Sequence, residues 1–385
     1  MNKPTVVFDS IFFQLANSGI ARVWRSLFKE WSDRDLFERA IILDRRQSCP
    51  KFDGFIYEDF PACRFDQTAE DSFLIESICQ KYNADLFVST YYTTPISVPS
   101  LMMVYDMIPE KFGFDTSLRG WREKEVAIRH ASGFLSISQS TANDLLEFYP
   151  EIPASSVKVA LCGVDRDIFY PRSKLEIEQF REQYQIKGDY YLFVGSRNQT
   201  KGYKNSQLFF NSLPHLEQTD FSIICVGGEP ELQDYIKAVT KDIDVHLVKL
   251  TDEELSIAYS DAAGLIYPSL YEGFGLPIIE AMACGCPVVT TKEGSIPEAA
   301  GDAAYTIGGK DEREMAQAIA DLGKPEIRQD LITKGLKNAA RFNWDEMAQT
   351  TYEAILKLYE SRDECRQPQI AHQWKQYRKI LKELQ

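Results

Sequence analysis

Positive charge is scarce in this sequence of 385 residues. Its 43 lysines and arginines face 57 aspartates and glutamates, a net charge of −14. A protein that holds nucleic acid through its phosphates needs a basic surface, so that class is excluded. No apolar run reaches the roughly 18 residues of a membrane span. The start, MNKPTVVFDSIFFQ, lacks a continuous apolar core and a small-residue cleavage site and does not read as a signal peptide. There are four histidines, at 130, 215, 246 and 372, none at zinc-ligand spacing. Eight cysteines are scattered without a CxxC pair, and Cys284 and Cys286 have no matching second pair. Several lie in apolar runs such as VALCGV and IICVGG, so they read as buried, reduced thiols of a cytosolic protein. No G-x-G-x-x-G follows a strand: VGGEPEL and EGFGLP both have the wrong spacing. That argues against a NAD(P)-dependent oxidoreductase. D-x-D tripeptides at 33–35, 165–167 and 242–244 do not follow strands as a metal site should, so we expect no metal. No repeat of 20–50 residues and no low-complexity stretch is visible.

What is present is an alternation. Apolar residues make up 44% of the chain, enough for sizeable cores. Short β-rich runs recur as TVVFD, AIILD, DLFVST, LMMVYD, GFLSIS and VKVAL, then YYLFVG, FSIICVGG, VHLVKL, GLIYPS, PVVTT and AAYTI. Helical patterns such as 20–31, 139–149, 231–240 and 253–260 fill most gaps. Continuous apolar strands between helices indicate parallel sheets covered on both faces. The alternation pauses at GVDRDIFYPRSKLEIEQFREQY. We therefore expect an α/β protein of two doubly wound domains, 1–171 and 172–367. The amphipathic tail at about 368–385 is expected to pack back on the first.

In open parallel sheets, ligands bind beyond the carboxyl ends of the strands. After the strand GLIYPS comes YEGFGLPIIEAMACGCPVV. Gly273 and Gly275 permit tight turns and close backbone approach. Pro277 suits the first turn of a helix. The N–H groups of Phe274, Gly275 and Leu276 then face out of a helix N-terminus, where an anion is favoured. Taken singly, Glu272 could be an ordinary acid before a helix, and Glu280 could face solvent. The whole combination, with an acid inside the apolar run IIEAMA, points to a ligand, because an unpaired carboxylate there is costly.

EGFGLPIIEAMACGCPVV resembles the E-x7-E signature of family 4 retaining glycosyltransferases, which have the GT-B fold: two Rossmann-like domains facing across a cleft. LFVGSRNQTKGYKN resembles that family's strand-glycine-basic loop, and SDAAGLIYPSLYEGFG and GSIPEAAGDAA match the flanks of the signature. FLSISQSTANDLLEFY and GVDRDIFYP are similar to its Ser-rich strand end and its linker. NSGIARVWRSL resembles the N-terminal Gly-Gly-Ile-x-Arg loop, with Ser18 for the first glycine. VYDMIPE resembles the His-Asp-x-x-Pro element, with Tyr105 where histidine is usual.

The resemblance implies that Glu272 contacts hydroxyls of the transferred sugar and Glu280 the ribose of the nucleotide, whose vicinal hydroxyls one carboxylate can accept. Gly273, Phe274, Gly275 and Leu276 should approach sugar and phosphates through their backbone. Arg197 and Lys204, with Lys201 as a weaker candidate, should stabilise the diphosphate as it leaves. Gly19 should let its loop approach that diphosphate, with Ser18 or Asn17 capping the following helix and Arg22 as the matching arginine. Asp106 should face the cleft and orient the acceptor or act as a base; its other reading is a turn-forming Asp. Ser138 and Ser140 fit a helix cap as well as an acceptor contact. The implied function is retaining transfer of a hexose from a nucleotide-diphosphate sugar, of GDP-mannose or UDP-glucose type, to a glycan, lipid-linked or other hydroxyl acceptor. No cofactor is expected beyond that co-substrate. Surface polysaccharide synthesis fits, in the cytoplasm or peripherally at the inner membrane face. A nucleotide-sugar epimerase on the same fold, or a catalytically inactive sugar-nucleotide-binding protein, is the alternative.

Overall fold

The computed structural model describes residues 3–16, 18–64, 66–198, 202–365 and 368–384. It divides into two compact units, Met1–Cys162 with Trp344–Gln385, and Gly163–Asn343. Each is built on one all-parallel sheet with helices between the strands.

The first sheet has the order β3-β2-β1-β4-β5-β6-β7. Its strands are β1 (Thr5–Asp9), β2 (Arg39–Arg45), β3 (Ile56–Phe60), β4 (Leu86–Ser89), β5 (Ser100–Val104), β6 (Gly133–Ser136) and β7 (Val157–Val159). The second has the order β10-β9-β8-β11-β12-β13. It comprises β8 (Asp189–Val194), β9 (Phe221–Val226), β10 (Val245–Val248), β11 (Gly264–Tyr267), β12 (Val288–Thr290) and β13 (Tyr305–Thr306). The strand order reverses direction at β1/β4 and at β8/β11. At such a point neighbouring loops leave in opposite directions and open a crevice for a ligand.

Twelve of these strands follow from their apolar runs; β3 was not expected. Its sequence, IYEDF, is at the sheet edge and only Phe60 is buried, so it carries no continuous apolar signal. The boundaries also differ from 1–171 and 172–367. Residues after 162 already bond within the second unit: Arg166 Nη2 donates to the Ala339 carbonyl at 3.3 Å and Arg172 Nε to Ser256 Oγ at 3.0 Å. The chain returns to the first unit with the helix Trp344–Glu360, well before 368. There Trp31 Nε1 donates to the Ala348 carbonyl at 3.2 Å and the Tyr352 hydroxyl to the Leu36 carbonyl at 2.7 Å.

The tail helix Pro368–Leu384 lies in the first unit, against the helix Thr68–Tyr82. It places Trp374 against the His130 ring, with centroids 4.9 Å apart, and buries Arg378, whose Nη2 donates to Thr94 Oγ1 at 2.8 Å. Below the strand ends of this unit Arg45, fully buried, forks between two acids. Its Nε and Nη2 reach Asp9 at 2.7 Å each, and Nη2 and Nη1 reach Asp71 at 2.6 and 2.9 Å. Asp9 also accepts from Thr93 Oγ1 at 2.6 Å, so the network ties the β4 loop to the end of β1. Among the described residues no helix is long and apolar enough to cross a membrane.

Candidate functional site

The second unit's reversal point lies between β8 and β11, and Arg197, Lys204, Glu272 and Glu280 come after the ends of those two strands. The loop from β11 begins at Pro268 and enters the helix Leu276–Ala283, with Pro277 in its first turn. Gly275 caps this helix at φ 104°, where an L side chain is strained, and a Cβ there would lie 3.2 Å from Ile278 Cδ1. Phe274 is buried edge-to-face on Phe342, with centroids 5.6 Å apart. It anchors the turn, leaving its backbone to do any ligand work. Glu272 is held from behind, since Ser295 Oγ donates to its carbonyl at 2.7 Å.

Glu280 is 2% exposed on this helix, so it does not face solvent. It sits among Ile278, Ile279, Ala281 and Met282, all buried.

The β8 loop brings in the cation. Lys204 Nζ donates to Glu272 Oε1 at 2.7 Å and to the Tyr267 hydroxyl at 3.2 Å. Tyr267 ends β11 and is buried. Burial, and then the nearby Glu272 charge, holds its hydroxyl well above the usual tyrosine range, so it stays protonated and neutral beside the pair. The residues flanking Lys204 are fixed as well. Leu270 N donates to the Tyr203 carbonyl at 2.7 Å. Asn205, in the left-handed region at φ 51°, gives its Nδ2 to the carbonyls of Pro268 at 3.2 Å and Gly309 at 2.9 Å. Lys204, Glu272 and Tyr267 thus form one ammonium-centred cluster at the reversal point. Sequence reasoning missed Tyr267, Asn205 and Ser295. Their signal is position alone: each stands at a strand end or in the loop that follows one.

Arg197 is placed differently from Lys204. It is 1% exposed. Nη1 donates to the Gly227 carbonyl at 2.9 Å and Nη2 to the Glu229 carbonyl. Its guanidinium is turned under the β9 loop, and the structure does not bring it to Lys204 and Glu272. Lys201 lies outside the described residues.

In the first unit Gly19 opens the helix Gly19–Trp31. Ser18 occupies the cap position without a side-chain bond to the helix; Asn17 lies outside the described residues. Arg22 N bonds the Ser18 carbonyl at 3.0 Å. Asp106 accepts from Ile108 N at 3.0 Å through Oδ1, the geometry of a turn-forming Asp, and its carbonyl takes Lys124 Nζ at 2.9 Å. Ser138 caps its helix by accepting from Thr141 N at 3.0 Å. Tyr105 is a strut rather than a proton carrier. Its hydroxyl accepts from Trp24 Nε1 at 2.6 Å and donates to the Thr90 carbonyl at 2.7 Å. Burial keeps it well above the usual tyrosine range. Among the described residues no three His, Cys, Asp or Glu side chains gather in a way that could hold a metal.

A cation paired with an acid at a strand-order reversal, beside a helix carrying a buried carboxylate, suits an anionic ligand that also bears hydroxyls. Residues 188–324 match the family model described as Glycosyl transferases group 1. The chain is similar to the O-antigen chain mannosyltransferase B of Escherichia coli, 28% identical over 231 residues, which is 58% of this chain and 60% of that relative's length. Sucrose-phosphate synthase from Thermosynechococcus elongatus has the same fold, with a TM-score of 0.72 and 17% identity over 93% of this chain and 100% of that one. So does Anabaena HepE, solved in complex with UDP-glucose, with a TM-score of 0.71 and 17% identity over 92% of this chain and 100% of that one.

Proposed function

We propose that this chain, which has the GT-B fold and whose residues 188–324 match the family model of the glycosyl transferases group 1, is a retaining glycosyltransferase whose second unit holds a nucleotide-diphosphate sugar. The observation that carries the reading is the Lys204–Glu272 pair, 2.7 Å apart, beside the helix that buries Glu280.

In this account Glu280 accepts hydrogen bonds from the vicinal hydroxyls of the ribose. The backbone of Gly273, Phe274, Gly275 and Leu276 lies along the sugar and phosphates, where a helix N-terminus favours an anion. Glu272 accepts from hydroxyls of the transferred hexose. Lys204 turns its ammonium toward the diphosphate. The bond between the anomeric carbon and the phosphate oxygen breaks, and the acceptor oxygen bonds to that carbon on the same face. The acceptor proton passes to the departing phosphate oxygen. Negative charge grows on the diphosphate during this step, so Lys204 acts more strongly in the transition state than before it. No metal is assigned to the step.

The donor is of GDP-mannose or UDP-glucose type. A mannosyltransferase relative favours the first and a neighbour solved with UDP-glucose the second. The acceptor class is a surface glycan, as the name of the O-antigen relative suggests. The test is a panel of labelled nucleotide sugars with glycan acceptors, read by mass spectrometry and by NMR of the new anomeric centre. Transfer from one donor with the anomeric configuration kept is the expected result. Inverted product, or an epimerised nucleotide sugar without transfer, overturns the reading.

A further inference from the structure

We infer that Glu229 is a positioning residue for Lys204, acting through the backbone of Ser196 and Arg197. The inference rests on the donor site proposed above.

β8 and β9 are neighbours, and the loops leaving their carboxyl ends lie against each other. Gly195, Gly227 and Gly228 have φ values of 120°, 70° and 73°, a run of left-handed backbone that only glycine adopts freely. A Cβ on Gly228 would sit 2.5 Å from the Gly195 carbonyl oxygen, so the two main chains are in contact. Across that contact each loop satisfies the other's backbone. Glu229 accepts from Ser196 Oγ at 2.5 Å and from Arg197 N at 2.6 Å. In return the Arg197 guanidinium donates to the Gly227 and Glu229 carbonyls. Burial pushes the Glu229 carboxyl up, but the bonds from Ser196 and Arg197 outweigh it and hold it below the usual range.

The clasp reaches Lys204 through bonded neighbours. The Arg197 carbonyl accepts from Ser206 Oγ at 3.1 Å, a buried bond, and Ser206 follows Lys204 by two residues. The Lys204 Cε lies 3.8 Å from where a Cβ of Gly195 would be. Glu229 fixes 196–197, these fix Gly195 and Ser206, and Lys204 is held between them. Arg197 thereby serves the donor site by shape, with its charge facing inward.

The sign of the effect separates positioning from plain electrostatics. Glu229 is an acid in the loop beside a site for a diphosphate. As a charge alone, its removal would tighten anion binding. As a positioning group, its removal loosens Lys204 and weakens binding. Charged hydrogen bonds of this kind correspond to about 10-fold or more in affinity.

The experiment uses the full chain. Glu229→Gln, Arg197→Gln, their double variant and Gly228→Ala are compared with wild type by thermal melting, by calorimetry against UDP, GDP and ADP, and by donor kinetics. The expected result is a folded Glu229→Gln that binds the wild type's preferred nucleoside diphosphate about 10-fold or more weakly, with donor KM raised. Arg197→Gln should show a similar loss and the double variant little further loss, as for two halves of one device. Gly228→Ala keeps both side chains but forces the loops apart, so it should weaken binding even if Glu229→Gln does not fold. Unchanged or tighter nucleoside-diphosphate binding in folded Glu229→Gln, or in Gly228→Ala, overturns the inference and leaves the proposed function standing. A wild type that binds none of the three nucleotides overturns both.

Discussion

Replacing Glu272 by glutamine should have opposite effects on two ligands. The Lys204 and Glu272 side chains are 21% and 10% exposed and 2.7 Å apart. Breaking a fully buried pair costs about 3–5 kcal/mol and an exposed one about 1 kcal/mol or less. With Lys204 partly screened by solvent and still bonded to Tyr267 at 3.2 Å, we expect about 1–2 kcal/mol. At about 2–4 °C per kcal/mol for a unit of this size, the melting temperature should fall by a few degrees. A bare nucleoside diphosphate brings its own negative charge to Lys204. In wild type it must draw the ammonium away from Glu272; in Glu272→Gln it need not. Nucleoside-diphosphate affinity should therefore hold or rise, whereas turnover of the sugar nucleotide should fall by about 10²–10³, the usual cost of one lost contact to the reacting centre. Lys204→Met should lose both binding and turnover. Calorimetry on the nucleoside diphosphate and initial rates on the sugar nucleotide give the two readouts. If Glu272→Gln weakens the bare nucleotide as much as Lys204→Met does, Glu272 is part of the phosphate site and the division of labour is refuted.

Three further outcomes follow from other parts of the molecule. EDTA should leave turnover unchanged, as assayed on the labelled donor; complete loss restored by Mn²⁺ would contradict leaving-group stabilisation by Lys204. Arg45→Met strands Asp9 and Asp71 in the interior and should cost about 3–5 kcal/mol in chemical denaturation; a change under ~1 kcal/mol would mean the network is not holding the β4 loop. His130, against Ser100 and Trp374, is pushed down to about 4, by burial first and then by Arg378. Its folded value lies below the unfolded one, so the unfolded chain takes up the proton first and stability is lost as pH falls from about 6.5 toward 4. His130→Gln should flatten that part of a melting-temperature profile, and an unaltered slope would exclude the assignment.

Much of the architecture was legible because buried parallel strands write themselves as continuous apolar runs, as in YYLFVG and FSIICVGG. β3 was illegible for the same reason inverted: at a sheet edge IYEDF buries little. The domain boundary was placed at the charged helix after Pro171, but a composition shift does not report that Arg166 and Arg172 already bond within the second unit. At the site, Glu280 could be singled out because an acid inside IIEAMA is anomalous without a partner. Arg197 shows the opposite limit. Its place after a strand suggested a phosphate cation, yet the orientation of its guanidinium depends on Gly227 and Glu229, some thirty residues away. Tyr267 carried only the signal of its position, since a tyrosine ending an apolar strand also looks like core. Tyr105 was noticed only as a departure from a pattern, and its bonds to Trp24 and Thr90 give it a mechanical purpose.

The central role proposed for the helix 276–283 is to hold a nucleotide ribose through Glu280. Calorimetric titration of UDP, GDP and ADP into wild type and into Glu280→Ala tests this directly. Wild type should bind one of them, and Glu280→Ala, still folded by its melting curve, should lose about 2–5 kcal/mol of that affinity, the cost of removing one partner of a buried charged hydrogen bond. Equal affinity in a folded Glu280→Ala, or no binding by wild type, would contradict it.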